Sequence, residues 1–188
     1  VKMAHASKRP PRVTILGPPG SGKTTLIPYI LEGGKHAGML EYVKAGKRYH
    51  EEQKRRGSAH EVTHPAWDSD GYLPFLTDLF EDISRSGKGW LLEKGPRLME
   101  HYVPWKEAGI FPDRVVVLDC DPEELVAWAR CRLQDSVTGQ SYNTQGNMPE
   151  DPAILARLAQ RAEDVDQETI RTRIQNFERV NYPVLSLY

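Results

Sequence analysis

Gly17-Pro18-Pro19-Gly20-Ser21-Gly22-Lys23-Thr24 fits the pattern G-x-x-x-x-G-K-[ST] at every position, and its surroundings decide the fold. Before it, Val13-Thr14-Ile15-Leu16 is short, apolar and β-branched, the composition of a buried strand. After it, Thr25-Leu26-Ile27-Pro28-Tyr29-Ile30-Leu31 reads as a helix, with Pro28 near the first turn, where a missing N–H costs least. Strand, glycine-rich loop and helix in that order make a cradle for phosphate oxygens. Backbone N–H groups turn inward, glycines keep side chains out of the way, and the helix N-terminus adds partial positive charge. In such a loop Lys23 reaches the β- and γ-phosphates, the Thr24 hydroxyl suits Mg2+, and Thr25 opens the helix beside them. The expectation is a bound nucleoside triphosphate with Mg2+.

The chain has 188 residues, enough for one domain with a sizeable core and small inserted segments. A net charge of −1 offers no overall field for nucleic acid or an anionic membrane, so neither is expected as a partner. The basic stretch from Lys44 to Arg56 is interleaved with Glu51 and Glu52 and reads as a solvated helix face. Two cysteines, Cys120 and Cys131, cannot build a disulfide framework or a four-ligand zinc site and read as packed residues in a reducing, cytoplasmic compartment. No run approaches the ~18 apolar residues of a membrane helix, and the polar first twelve residues lack the apolar segment of a signal peptide. Starting at Val1, the chain reads as a piece of something longer, with other domains of a larger protein as partners.

Along the chain, residues 35–70 are charged and weakly periodic, and short helices are expected there. Leu76, Leu79, Phe80 and Ile83 recur at helical spacing. Gly89-Trp90-Leu91-Leu92-Glu93 and Arg114-Val115-Val116-Val117-Leu118-Asp119 are near-continuous apolar runs, the signature of parallel strands covered on both faces. Asp121-Pro122-Glu123-Glu124 opens a helix that carries Leu125, Trp128 and Ala129 inward and ends near Arg132. Residues 133–151 turn to Gly, Ser, Thr, Asn and Gln, a flap of turns rather than core. Asp151-Pro152 restarts a helix through about Arg161, and another runs from Glu168 to Tyr182. Strands alternating with helices predict a three-layer α/β fold with a mostly parallel sheet and helices on both faces.

Four further stretches carry a resemblance. Residues 89–97 read GWLLEKGPR, residues 108–125 AGIFPDRVVVLDCDPEEL, residues 132–142 RLQDSVTGQSY and residues 149–164 PEDPAILARLAQRAED. In this order, behind the phosphate loop, the chain resembles the adenylate kinases, nucleoside monophosphate kinases that carry a flap over ATP. The resemblance implies a P-loop NTPase fold with a core at about residues 12–34, 72–132 and 162–188. It also implies a monophosphate-binding insertion at about 35–71 and a lid at about 133–161.

It further implies transfer of the ATP γ-phosphoryl group to AMP or a related monophosphate, giving two ADP when AMP is the acceptor. Such chemistry asks the protein to align two anionic substrates and neutralise their charge, which explains recurring arginines. Carried over by position, residues 17–24 hold the triphosphate and Arg132 is a flap arginine on the ATP phosphates. Arg161 is the arginine of an R-x-D-D motif, Arg173 a later arginine on the next helix, and Arg97 grips the monophosphate. Gly71 and Leu73 line the AMP base, His101 stands where the family has a glutamine on that base, and Glu93 serves Mg2+ through water in the family's manner.

Departures concentrate on the monophosphate side. Glu93-Lys94-Gly95-Pro96-Arg97 replaces D-G-F-P-R, so the carboxylate is one methylene longer and a cation replaces a glycine. The early G-D-L-L-R motif is absent, with Gly38-Met39-Leu40-Glu41 as its remnant. Leu133 replaces the second of two flap arginines. Trp128 falls where an arginine stacks on adenine, and reads either as a stacking indole or as core. Two functions stay open: an active phosphotransferase, and a nucleotide-binding module without turnover that serves a larger assembly.

Overall fold

A computed structural model describes residues 9–33, 37–57, 71–96 and 99–188. The chain divides into two compact units: Val1–Leu16, Lys23–Val117 and Pro183–Tyr188 form the first, Gly17–Gly22 and Leu118–Tyr182 the second. Among the described residues no helix is long and apolar enough to cross a membrane.

The first unit is built on four parallel strands, β1 (Arg12–Leu16), β2 (Leu40–Val43), β3 (Gly89–Glu93) and β4 (Arg114–Val117), in the order β2-β3-β1-β4. Its helices are α1 (Lys23–Glu32), α2 (Ala45–Arg55), α3 (Tyr72–Arg85) and α4 (Met99–Glu107). The α/β class with a parallel sheet is therefore as the sequence implies. β3 is apolar on both faces and buried from Gly89 to Leu92. Alternation along the strand sends Trp90 and Leu92 to one side, where they join Val43, Tyr49, Tyr72, Leu76, Phe80, Ile83 and Trp105 in one apolar cluster. On α3 the buried residues Tyr72, Leu76, Phe80 and Ile83 follow the helical period, and the Phe80 ring lies 4.9 Å from that of Trp90, centroid to centroid. Burying a side chain of this size contributes about 1.5–3 kcal/mol.

Two expectations need correction here, and a third cannot be compared. Residues 40–43 form a strand rather than a short helix: Leu40 pairs with Gly89 and Val43 with Leu92, and this ladder outweighs the weak local pattern. The helical expectation for residues 58–70 lies outside the described residues. Arg114–Val117 is a parallel strand, but only its middle is half-buried while Arg114 and Val117 are exposed. It lies at the sheet edge, with β1 as its one ladder partner among the described strands. The helix α4 also follows β3, where the sequence showed no clear periodicity.

In the second unit α5 (Pro122–Arg130) starts as its sequence requires. The Asp121 carboxylate accepts from the backbone N–H of Glu123 at 2.8 Å and of Glu124 at 3.2 Å, with a proline at the first helical position. It buries Leu125, Val126 and Ala129 against Ile170 and Ile174 of α7 (Gln167–Leu185). Trp128 points away from this stripe and is 47% exposed, which corrects its assignment to the core.

The flap is also more ordered than its composition implies. β5 (Arg132–Asp135), β6 (Ser141–Asn143) and β7 (Leu158–Gln160) form an antiparallel sheet in the order β6-β5-β7. α5 ends at Arg130, close to the expected Arg132, which itself opens β5. The helix expected through Arg161 is reduced to α6 (Pro152–Leu155), because Leu158–Gln160 exchanges helical bonds for a ladder with Leu133–Asp135. A buried carboxylate holds this sheet. Asp135 accepts from Arg157 at 2.7 and 2.8 Å, from the Val137 N–H at 2.9 Å and from the Thr138 hydroxyl at 2.7 Å. Those donors offset the desolvation that a buried charge would otherwise carry.

Candidate functional site

The phosphate loop leaves the C-terminal end of β1 and runs into α1. Gly20 and Gly22 have φ of +89° and +79°, left-handed values that cost a residue with a side chain roughly 1–2 kcal/mol. The Ser21 N–H closes a turn on the Pro18 carbonyl at 3.2 Å, with Gly17 and Pro18 buried and Pro19 half-buried. Lys23 opens α1 at 9% exposure, an unusual degree of burial for a lysine. Thr24 and Thr25 beside it are exposed, and the first turn of α1 has no acidic residue to offset its positive dipole end.

In the second unit, which also contains the loop residues Gly17–Gly22, three of the predicted arginines come together. Asp164, with no exposed surface, accepts from Arg132 Nε at 2.8 Å and Nη2 at 2.7 Å, and from Arg173 Nη1 at 3.0 Å. Arg161 Nε lies 4.0 Å from the same carboxylate, and its guanidinium also pairs with Glu163. Arg173 Nη1 reaches the Glu163 carbonyl at 3.1 Å. Burial raises the pKa of the Glu163 carboxyl, but its own backbone N–H, Arg161 and Arg173 outweigh that and hold it below the ordinary value. Three guanidinium groups face two carboxylates, so the cluster keeps an excess of positive charge. Carboxylate-fixed guanidinium planes with donors to spare are suited to phosphate oxygens.

The residues that the resemblance assigns to the monophosphate lie in the first unit. Parallel pairing sets Glu93 opposite Ile15, one residue before the end of β1. Its Oε2 accepts from the Tyr42 hydroxyl and lies 3.7 Å from Lys44 Nζ. Burial, followed by the bond and charge of Glu93, pushes the Tyr42 phenol far above its usual range, so it remains a donor. Lys94, at the place where the resembled motif has glycine, takes φ +67°, a left-handed value, and its N–H donates to the Ile15 carbonyl at 3.2 Å. Gly71 precedes α3 and is exposed, whereas Leu73 is half-buried and packs on the core cluster. His101 is buried on α4, with Nε2 3.7 Å from Glu100. Arg97 lies outside the described residues.

Two polar residues here escaped the sequence reading. Tyr42 was hidden because β2 itself was not recognised. Arg48, near the start of α2, donates to Glu41 at 2.8 Å and to the Tyr42 carbonyl at 2.8 Å, and so stands just past the carboxyl end of β2. The carboxyl edge of a parallel sheet is where open α/β proteins bind ligands. On the remaining candidate, Trp128, the indole is exposed while its carbonyl accepts from Asn143 Nδ2 at 3.1 Å.

Comparison with known proteins agrees with this geometry. A family model described as "AAA domain" matches residues 16–146. "Adenylate kinase 8" of Xenopus tropicalis is 27% identical over 182 residues, covering 95% of this chain but 36% of that protein. "Adenylate kinase" of Natronomonas pharaonis is 28% identical over 180 residues, covering 95% of this chain and 84% of its own length. "Probable adenylate kinase 2, chloroplastic" of Oryza sativa subsp. japonica is 28% identical over 190 residues, with 100% of this chain and 65% of the relative covered. The chain thus spans about a third of the Xenopus protein and most of the Natronomonas one. It belongs to the AAA-domain family, as an adenylate-kinase-like P-loop protein.

Proposed function

We propose that this chain is a nucleoside monophosphate kinase, transferring the γ-phosphoryl group of MgATP to AMP or a related monophosphate. Its relatives carry adenylate kinase names, which supports a nucleotide-kinase-like function. The observation that carries the finer reading is the fixing of Arg132 and Arg173 on Asp164, with Arg161 beside them. A lone phosphate-binding site does not require three preoriented guanidinium groups, whereas charge developing on a transferring phosphoryl group does.

The residue roles follow from chemistry. The glycine-rich loop and Lys23 cradle the β- and γ-phosphates, and the three arginines take the charge that spreads over the γ-phosphoryl oxygens. An acceptor phosphate oxygen forms a bond to the γ-phosphorus while the bond from that phosphorus to the β–γ bridging oxygen breaks, leaving ADP. Mg2+ enters with ATP and, when bound, neutralises charge on the β- and γ-phosphates. Thr24 and Glu93 are the residues that would hold it. They fit: both offer oxygen donors, Thr24 is exposed on the first turn of α1, and Glu93 is fixed beside the end of β1. Arg97 and Arg48 are the guanidinium groups proposed for the acceptor phosphate, with Gly71, Leu73 and His101 on its base and Trp128 on the ATP adenine.

A coupled assay for ADP formed from ATP and AMP tests this reading. Turnover no higher than that of Lys23→Ala would refute it. One observation favours the second reading, a nucleotide-binding module without turnover: Lys94 holds a glycine conformation with a side chain attached, next to the acid proposed for the metal. Retained ATP binding without ADP formation would establish that alternative.

A further inference from the structure

We propose that Tyr42 and Lys44 are positioning residues that fix the Glu93 carboxylate for the Mg2+ that travels with ATP. The proposal rests on the kinase reading above and assigns two residues that lie outside every matched motif.

The sheet register delivers the first contact. Tyr42 pairs with Leu91, and Glu93, two residues further along β3, falls on the same face as Leu91. The phenol of Tyr42 therefore reaches Glu93 from the neighbouring strand and donates to Oε2. Lys44, the residue just beyond β2, brings the second contact. Its Nζ lies 3.7 Å from the same Oε2 and 5.5 Å from the centroid of the Tyr42 ring. Tyr42 and Lys44 thus converge on one oxygen of the carboxylate.

The backbone of Glu93 is held as firmly. Glu93 pairs with Ile15 in the ladder, and the N–H of the next residue, Lys94, donates to the Ile15 carbonyl at 3.2 Å. The acid is thereby anchored at the point where β1 gives way to the phosphate loop. Glutamate has one more rotatable bond than the aspartate of the resembled motif, and an unrestrained side chain would lose that freedom each time it served the metal. A phenol and an ammonium on Oε2 remove it in advance. Outer partners that orient a metal-serving carboxylate in this way influence metal affinity on the order of 10-fold or more.

Calorimetric titration of the whole chain with ATP, with and without Mg2+, tests the assignment. The variants are Tyr42→Phe, Lys44→Met, Glu93→Gln and the double variant Tyr42→Phe/Glu93→Gln. The metal-free ATP affinity of each variant serves as its own baseline. The gain in affinity on adding Mg2+ should fall on the order of 10-fold in Tyr42→Phe and by at least as much in Glu93→Gln, with a smaller loss in Lys44→Met. The double variant should match Glu93→Gln alone, because the phenol acts through the carboxylate. The Mg2+ concentration for half-maximal ADP formation should rise in the same order.

A wild-type Mg2+ response in Tyr42→Phe would overturn the proposal, as would a double variant weaker than Glu93→Gln. Should Tyr42→Phe fail to melt cooperatively, Lys44→Met decides, since its half-exposed side chain can be changed without opening the core; an unchanged Mg2+ response there overturns the assignment. Wild-type protein that binds ATP no better with Mg2+ than without would instead remove the kinase reading itself, and this proposal with it.

Discussion

The guanidinium group of Arg132 meets both carboxylate oxygens of Asp164, at 2.8 and 2.7 Å, with Asp164 sealed from solvent. The fork of donors fixes the plane of the guanidinium before any ligand arrives, which is the preorganisation that phosphoryl transfer rewards. Removing the acid strips the half-buried guanidinium groups of Arg132 and Arg173 of the sealed carboxylate that compensates them. Asp164→Ala should therefore lose about 3–5 kcal/mol of stability in urea denaturation. A loss below about 1 kcal/mol would show that the arginines do not depend on this carboxylate.

Lys94 should be replaceable to advantage. Its φ of +67° strains any residue with a Cβ, whereas glycine adopts it freely. Lys94→Gly should raise stability by about 1 kcal/mol, even after the extra freedom that glycine gives the unfolded chain. A lower melting temperature for the variant would mean that the lysine side chain makes contacts worth more than the strain.

Lys23 and Arg97 should separate the two substrates. Lys23→Ala is expected to weaken ATP binding more than Arg97→Ala does, because the loop lysine is assigned to the triphosphate and Arg97 to the acceptor. Equal ATP affinities for the two variants by calorimetry would contradict the assignment.

The antiparallel sheet of the flap should respond to acid through Asp135. Hydrogen bonds from Arg157, and then from the Val137 N–H and Thr138, hold its carboxyl far below the ordinary carboxylate range, although burial works the other way. The folded chain therefore binds this proton less tightly than the unfolded chain, so the stabilisation is complete above about pH 4 and fades as the pH falls towards the folded value. Arg157→Met lets the carboxyl pKa rise, and acid loss of the sheet should begin at a higher pH. Identical acid transitions for variant and wild type, followed by circular dichroism, would rule this out.

Residues 133–151 should become protected when ATP binds. Closure of this segment over the nucleotide would exclude water from the transfer, and hydrogen exchange there should slow on adding ATP. Unchanged exchange would argue for a flap that does not close.

Legibility in the sequence followed the reach of the interactions. β3 could be read because GWLLE is apolar at nearly every position, as a strand buried on both faces must be. The start of α5 could be read because its cap, proline and acidic first turn are all local. β2 could not, since Leu40–Val43 is a strand only through its pairing with Gly89–Leu92, some fifty residues away. The flap strands failed for the same reason: Leu133 finds Gln160, and Asp135 finds Arg157, across an interval of polar residues. Trp128 was misplaced because Val126, rather than Trp128, joins Leu125 and Ala129 on the stripe facing α7.

The chain's sequence by itself determined the phosphate loop, because eight consecutive residues with a strand before and a helix after are enough to shape a phosphate cradle, and its family, because four further matched stretches follow in order. It also nominated the arginines, whose positions in matched stretches could be counted. Only the tertiary structure decided what those side chains do to one another: that Arg132 and Arg173 share the buried Asp164, and that Glu93 is held by Tyr42 and Lys44. Such pairings depend on strand register and on which face each residue presents. Both are set by the packing of distant segments, and neither is recorded in the local order of residues.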